Sequence, residues 1–169
     1  MGRFTDIKDP AYAVKVIEEL EKLSPGKFEL NMVGGGELFE LSKKSAKNVP
    51  ISFSGWLDRR FENSGHFDLL LLTSKNEGMG LVMLEAANYK KPTIARNVGG
   101  VGEFIKDGVN GLLIDGDPAE MANKINSLNS ESLNKMGEAS YQILVKDFTD
   151  KVMANNYLNL YKSLIKLKS

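Results

Sequence analysis

Four consecutive leucines, Leu69 to Leu72 in the segment DLLLLTS, constrain the fold of this chain more than any other feature. A strand with one wet face alternates apolar and polar residues. These four do not alternate, so both faces of a strand over Asp68–Ser74 must be covered. A parallel sheet with helices on either side provides that cover.

The rest of the chain keeps a matching rhythm. Asp9 can cap a helix in which Ala13, Val16, Ile17 and Leu20 recur at helical spacing, and Pro25-Gly26 ends it. FELNMVGGG reads as a strand, Phe28–Val33, running into a triple-glycine turn, and ELFELSKKSAK returns as a helix. PISFSG gives a second strand and DLLLLTS a third. A helix over Leu81–Tyr89, a fourth strand in PTIAR, a helical turn at Glu103–Lys106 and a fifth strand in GLLID follow. Three helices close the chain, starting near Asp117, Glu131 and Thr149, and occupying about 131–166 after the first. This alternation predicts one domain, residues 1–169, on a single Rossmann-like, doubly wound parallel α/β sheet with right-handed crossovers.

Composition removes several function classes. Twenty-two basic residues balance 22 acidic ones, so the overall charge points to neither a nucleic acid nor an anionic membrane as partner. With no cysteine there is no disulfide, thiolate metal site or cysteine nucleophile, a composition compatible with a reducing cytoplasm. A single histidine, His66, leaves poor material for a catalytic triad or a polyhistidine metal site. No apolar run is long enough for a transmembrane segment, and no signal-peptide pattern is present.

In doubly wound sheets ligands bind beyond the carboxyl ends of the strands. That rule puts Gly34–Gly36, Ser54–Trp56, Ser74–Gly80 and Asn97–Gly102 on one glycine-rich rim. Gly78 and Gly80 let backbone approach a ligand, and the first-turn N–H groups of the helix from Leu81 make a pocket that favours phosphate. Glu85 lies on the stripe of Val82 and Tyr89, one turn deeper. If shielded from water, its carboxylate needs donors, and two vicinal ribose hydroxyls supply a matched pair. Spacing alone leaves the plainer reading equally open, in which Glu85 faces solvent and Glu77 is an ordinary loop carboxylate.

The segment SKNEGMGLVMLEAANYKKPTIARNVGGVGEFIKDGVNGLLID resembles the C-terminal, nucleotide-sugar-binding domain of retaining glycosyltransferases of the GT-B type, the large group that includes phosphatidylinositol mannosyltransferases. The shared features are a serine after an apolar strand, Glu77, Gly-x-Gly-Leu, Glu85 eight positions on, Lys-Pro, Gly-Gly, a further Glu, and Asp-Gly-x-x-Gly-Leu-Leu. GRF with Lys8, and MVGGGEL, extend the likeness to nearly the whole chain.

The resemblance implies that Arg3 and Lys8 neutralise the donor diphosphate, where charge grows as the glycosidic bond breaks. Otherwise each is a solvated surface cation. It further implies that Glu85 holds the ribose hydroxyls, that Glu77 faces the transferred sugar, and that Gly78, Met79, Gly80, Leu81 and Val82 offer backbone N–H groups to phosphate and sugar. The base is expected against Gly55 and Trp56, with Trp56 either stacked on it or packed. Gly99 and Gly100 either line the sugar or acceptor side or form a turn capping the fourth strand. His66 is expected on the surface or in packing, and Glu103 at a helix start. No acidic transferase-type metal motif falls on the rim, so metal-independent binding without a cofactor is expected.

The implied partners are a nucleotide diphosphate sugar, with a UDP-hexose favoured, and a saccharide or lipid-linked acceptor held by a separate N-terminal domain that this chain does not contain. The implied setting is cytoplasmic synthesis of bacterial envelope polysaccharide, with peripheral membrane association of the full enzyme. Three positions depart from the pattern: Met79 replaces an aromatic, and Lys90 and Asp9 replace glycines. The family also opens with an apolar central strand before Gly-Arg, of which only Met1 is expected to remain, so the chain reads as a domain fragment, inactive alone. Other readings are a stand-alone nucleotide-binding subunit acting with an acceptor-binding chain, a nucleotide-sugar epimerase, a phosphorylase-like enzyme and a non-binding structural domain.

Overall fold

The computed structural model describes residues 1–58, 62 and 66–166. Its elements are β1 (Gly2–Arg3), α1 (Pro10–Leu23), β2 (Leu30–Gly35), α2 (Phe39–Ser45), β3 (Ile51–Gly55), β4 (Leu70–Leu72), α3 (Leu81–Asn88), β5 (Thr93–Arg96), α4 (Val101–Phe104), β6 (Gly111–Ile114), α5 (Pro118–Asn126), α6 (Ser130–Asp147) and α7 (Asp150–Lys166). All strand pairs are parallel.

The leucine run behaves as its lack of alternation predicts. Leu70 and Leu72 enter a core formed with Met83, Ala86 and Ala87 of α3 and Val101 and Phe104 of α4. Leu69 and Leu71 pack on the opposite side, against the cluster of Val16, Ile17 and Leu20 of α1 and Met121, Ala122 and Ile125 of α5. Each fully buried aliphatic side chain contributes about 1.5–3 kcal/mol, so one strand ties two helical layers together. Asp9 caps α1 by accepting from the Tyr12 N–H, and Pro10 occupies the first turn, where its missing N–H leaves no gap.

The parallel, helix-covered α/β fold is as expected, its strands falling into two three-stranded sheets, β1-β2-β3 and β4-β5-β6. Two details need correction. β1 is a strand where only Met1 was expected, and a short one: Gly2 and Arg3 pair with Gly34 and Gly35 alone. The edge of β2 from Leu30 to Val33 and the segment Leu71–Ser74 therefore border a cleft open to solvent. The second correction is of boundaries: β2 runs through Gly35 into the glycine turn, and α4 starts at Val101, before Glu103. Phe4 packs edge-on against Phe39 of α2, with ring centroids 5.1 Å apart, which fixes the chain as it leaves β1 for the rim.

Candidate functional site

Helix α3 begins at Gly80, whose left-handed backbone (φ 60°, ψ 68°) turns the chain into the helix without a side-chain cap. The Met83 N–H donates to Gly80 O at 2.8 Å, and the Leu81 and Val82 amides lie ahead of it at the positive end of the helix. Gly78, Met79 and Leu81 are exposed around this end, and Val82 and Glu85 are half-buried on the following turn.

Glu77 sits in the loop before α3 with its side chain only 8% exposed, so its charge requires partners. One is Ser74, whose Oγ donates to Oε1 at 2.7 Å from the end of β4. The other is Lys8, whose Nζ donates to the same oxygen. Lys8 arrives on the Thr5–Asp9 turn, which the β4 loop holds from several sides. The Lys75 N–H donates to Ile7 O at 2.7 Å, the Lys75 ammonium lies 2.6 Å from Asp6, and Thr73 Oγ1 donates to the carbonyls of Lys8 at 3.1 Å and Asp9 at 3.2 Å. The bond to Asp6 holds Lys75 above its ordinary pKa.

Gly99 and Gly100 have a role that neither expected reading named. The Gly100 N–H donates to Glu77 O at 2.9 Å. A Cβ on Gly99 would lie 2.0 Å from Glu77 O, and one on Gly100 would lie 2.4 Å from Gly78 O. These glycines brace the Glu77 loop from behind, and no larger residue fits that approach.

Arg3, Lys8, Ser74 and Val82 border the cleft between the sheets, which brings both expected phosphate cations to one place. Arg3 is exposed, and its side chain makes no ion pair or hydrogen bond among the described residues. Gly55 (φ 66°) and Trp56 stand on the neighbouring rim, outside the cleft lining. Trp56 is 61% exposed, and its Nε1 lies 2.7 Å from where a Cβ of Gly35 would be, so the indole rests on the glycine turn and leaves much of its surface to solvent. His66 is exposed, 3.3 Å from Asp68, and Glu103 lies in the first turn of α4. Among the described residues no group of three His, Cys, Asp or Glu could hold a metal ion.

Sequence reasoning missed a cluster beside this site. Arg96 Nη1 donates to Asp9 Oδ2 at 3.2 Å and to Thr73 O at 3.3 Å, while the guanidinium lies 4.7 Å from the Tyr12 ring centroid. Tyr12 OH donates to Gly116 O at 2.9 Å; burial pushes this phenol above its ordinary pKa, and Arg96 opposes the shift. The available signal was a lone cation closing the otherwise buried strand PTIAR.

The family profile described as "Glycosyl transferases group 1" matches residues 1–131. An O-antigen biosynthesis glycosyltransferase of Escherichia coli, WbnH, is 31% identical over 98% of this chain and 45% of its own length. Among solved structures, Staphylococcus aureus TarM in a complex that includes UDP superposes with a TM-score of 0.86 at 24% identity, over 95% of this chain and 34% of TarM. Anabaena HepE in complex with UDP gives 0.78 at 23%, over 96% and 48%. At these identities the two structures establish the fold, that of the C-terminal part of GT-B glycosyltransferases. The chain spans about half the length of the curated relatives it matches.

Proposed function

Since the chain belongs to the glycosyl transferases group 1 family, we propose that it is the donor-binding half of a retaining glycosyltransferase that moves a hexose from a nucleotide diphosphate sugar, a UDP-sugar by preference, to a saccharide or lipid-linked acceptor. The observation that carries this is the convergence of Lys8 and Ser74 on Glu77 at the uncapped start of α3, with Arg3 on the adjoining cleft.

The chemistry follows from charge. When the bond between the sugar carbon and the diphosphate oxygen breaks, its electron pair stays with the nucleotide diphosphate. Arg3, Lys8 and the α3 amides stabilise that growing charge more than they stabilise the intact donor, and this difference is what accelerates transfer. In the ligand-free protein Glu77 neutralises Lys8; a diphosphate competes for the same ammonium, after which Glu77 is available to accept from sugar hydroxyls. Glu85, a turn deeper, accepts from the ribose, and Trp56 offers its exposed face to the base.

Envelope polysaccharide synthesis is the setting supported by the name of the E. coli relative, an O-antigen biosynthesis glycosyltransferase. Among the described residues no helix is long and apolar enough to cross a membrane. The acceptor site belongs to the other half of the enzyme, so this chain alone binds donor without transferring sugar, because two domains must close to exclude water and align the acceptor.

Calorimetric titration with UDP, GDP and ADP tests this. One nucleotide, UDP by preference, is expected to bind, and Glu85→Ala is expected to weaken it about 10–100-fold, the loss of one or two charge-assisted hydrogen bonds. A folded chain that binds none of the three, or binds UDP equally after Glu85→Ala, overturns the site.

A further inference from the structure

We propose that Asp9 is a positioning residue for the donor diphosphate: gripped by Arg96, its carboxylate fixes the turn that delivers Lys8 to the rim. The proposal deepens the donor-site reading and rests on it for its nucleotide measurement.

Asp9 has φ 46° and ψ 60°, a left-handed conformation that L-residues seldom adopt and that aspartate tolerates when its short side chain bonds locally. Here the carboxylate is engaged on two sides. Oδ1 accepts from the Tyr12 N–H at 3.3 Å, starting α1, and Oδ2 accepts from Arg96 Nη1 at 3.2 Å. The two side chains are only 19% and 26% exposed, so water screens the pair weakly. Arg96 is itself immobilised by Thr73 O and by the Tyr12 ring.

The consequence falls on Lys8. The ammonium sits on a flexible four-carbon stem, and where it can reach is set by the backbone that carries it. That backbone is held at the Lys8 and Asp9 carbonyls by Thr73 Oγ1, and beyond them by the Asp9–Arg96 pair. The pair also keeps the Asp9 carboxylate occupied, so Lys8 meets Glu77 or a phosphate instead of its own neighbour. Arg96 is the last residue of β5 and leads directly into the loop whose glycines brace Glu77. One guanidinium therefore bonds both to the turn that carries Lys8 and to Thr73, the neighbour of the Ser74 that donates to Glu77.

A cap for α1 alone would raise stability without acting through Lys8, and a double-mutant cycle separates the two roles. Asp9→Asn, which keeps a cap acceptor and tolerates the left-handed turn, and Arg96→Gln, which approaches the link from the other end, are titrated with UDP with Lys8 intact and on Lys8→Ala. With Lys8 present, each is expected to weaken UDP binding about five-fold or more; on Lys8→Ala, less than about two-fold. The shift in urea midpoint is expected to be the same on both backgrounds. Equal weakening on both, or none on either, overturns the proposal. A second readout needs no nucleotide: the Lys8 ¹⁵Nζ ammonium signal in NMR, protected from exchange by Glu77, is expected in the unaltered chain and lost in both variants, and its persistence in both sinks the assignment. If the unaltered chain binds no UDP, the donor-site reading fails and this NMR result alone decides the role of Asp9.

Discussion

Two residues, Asp9 and Lys90, hold a left-handed backbone without being glycine, at φ 46° and 55°. By the resemblance described above, both stand where the glycosyltransferase pattern would place a glycine, and each carries an ion pair. Lys90 lies 2.8 Å from Glu138 of α6, its ammonium 5.2 Å from the Tyr141 ring centroid. The bond to Glu138 holds Lys90 above its ordinary pKa, and the bonds from Lys90 and then Gln142 hold Glu138 below 4.5. A carboxylate depressed in the folded state stabilises above its unfolded pKa, and that contribution disappears as pH falls through the folded value. Lys90→Gly removes both the strain and the pair. At pH 7 its melting temperature is expected within about 2 °C of the parent. As pH falls through the depressed folded value of Glu138 the parent loses the pair while the variant still lacks the strain, so the difference shifts in favour of the variant. Melting curves at pH 7 and at successively lower pH decide, and a shift toward the parent at low pH contradicts this account.

At the scale of elements, the site is a meeting of loops, and its rigidity comes from the approach of Asn97–Gly100 to the loop before α3. Gly99→Ala places a methyl 2.0 Å from Glu77 O on a backbone with φ 52°. Left-handed strain and displaced backbone together are expected to lower stability by about 2–4 kcal/mol in urea denaturation, and to weaken UDP binding in the protein that remains folded. Unchanged UDP affinity would mean that the brace does not position Glu77. The elements most legible in the sequence were those in which one local signal is also the tertiary one. The leucine run predicted cover on both faces because alternate leucines do feed opposite cores, and Asp9 followed by Pro10 marked α1 because the cap is a local bond. The gathering of Glu77, Gly78, Gly80 and Val82 was readable because a single loop and helix carry them. The bond from Lys8 to Glu77 spans 69 residues, and only the family pattern placed the two at one site. Arg96 was missed because its partners, Asp9 and Thr73, come from other elements, and neither spacing nor periodicity encodes such a contact. The start of α4 was misplaced because Val101 and Phe104 are set by burial under β4, which overrides the weaker local cue of Glu103.

The whole molecule is two half-sheets with helical cover, facing each other across a cleft. In the register of β1 on β2, Gly2 lies opposite Gly34, so chain continued ahead of Met1 would run along Met32, Asn31 and Leu30. That edge of β2 has no strand partner among the described residues, and β4 is paired only with β5. An added strand parallel to both neighbours would extend the ladder on both edges while burying its side chains against Ala13 and Val82. A Val-Ile-Val extension joined ahead of Met1 gains roughly 1.5–3 kcal/mol per buried side chain and loses about 1–2 kcal/mol per residue in backbone ordering. The net of about 2 kcal/mol corresponds to a rise of roughly 4–8 °C in melting temperature for a chain of this size. A Ser-Asp-Ser extension of the same length has the backbone groups but not the apolar surface, and should leave the melting temperature near that of the parent. Hydrogen exchange locates the effect: amides of Leu30–Met32 and Leu70–Leu72 should gain protection with the apolar extension only. Equal melting temperatures for the two extensions would mean that the cleft does not accept a strand.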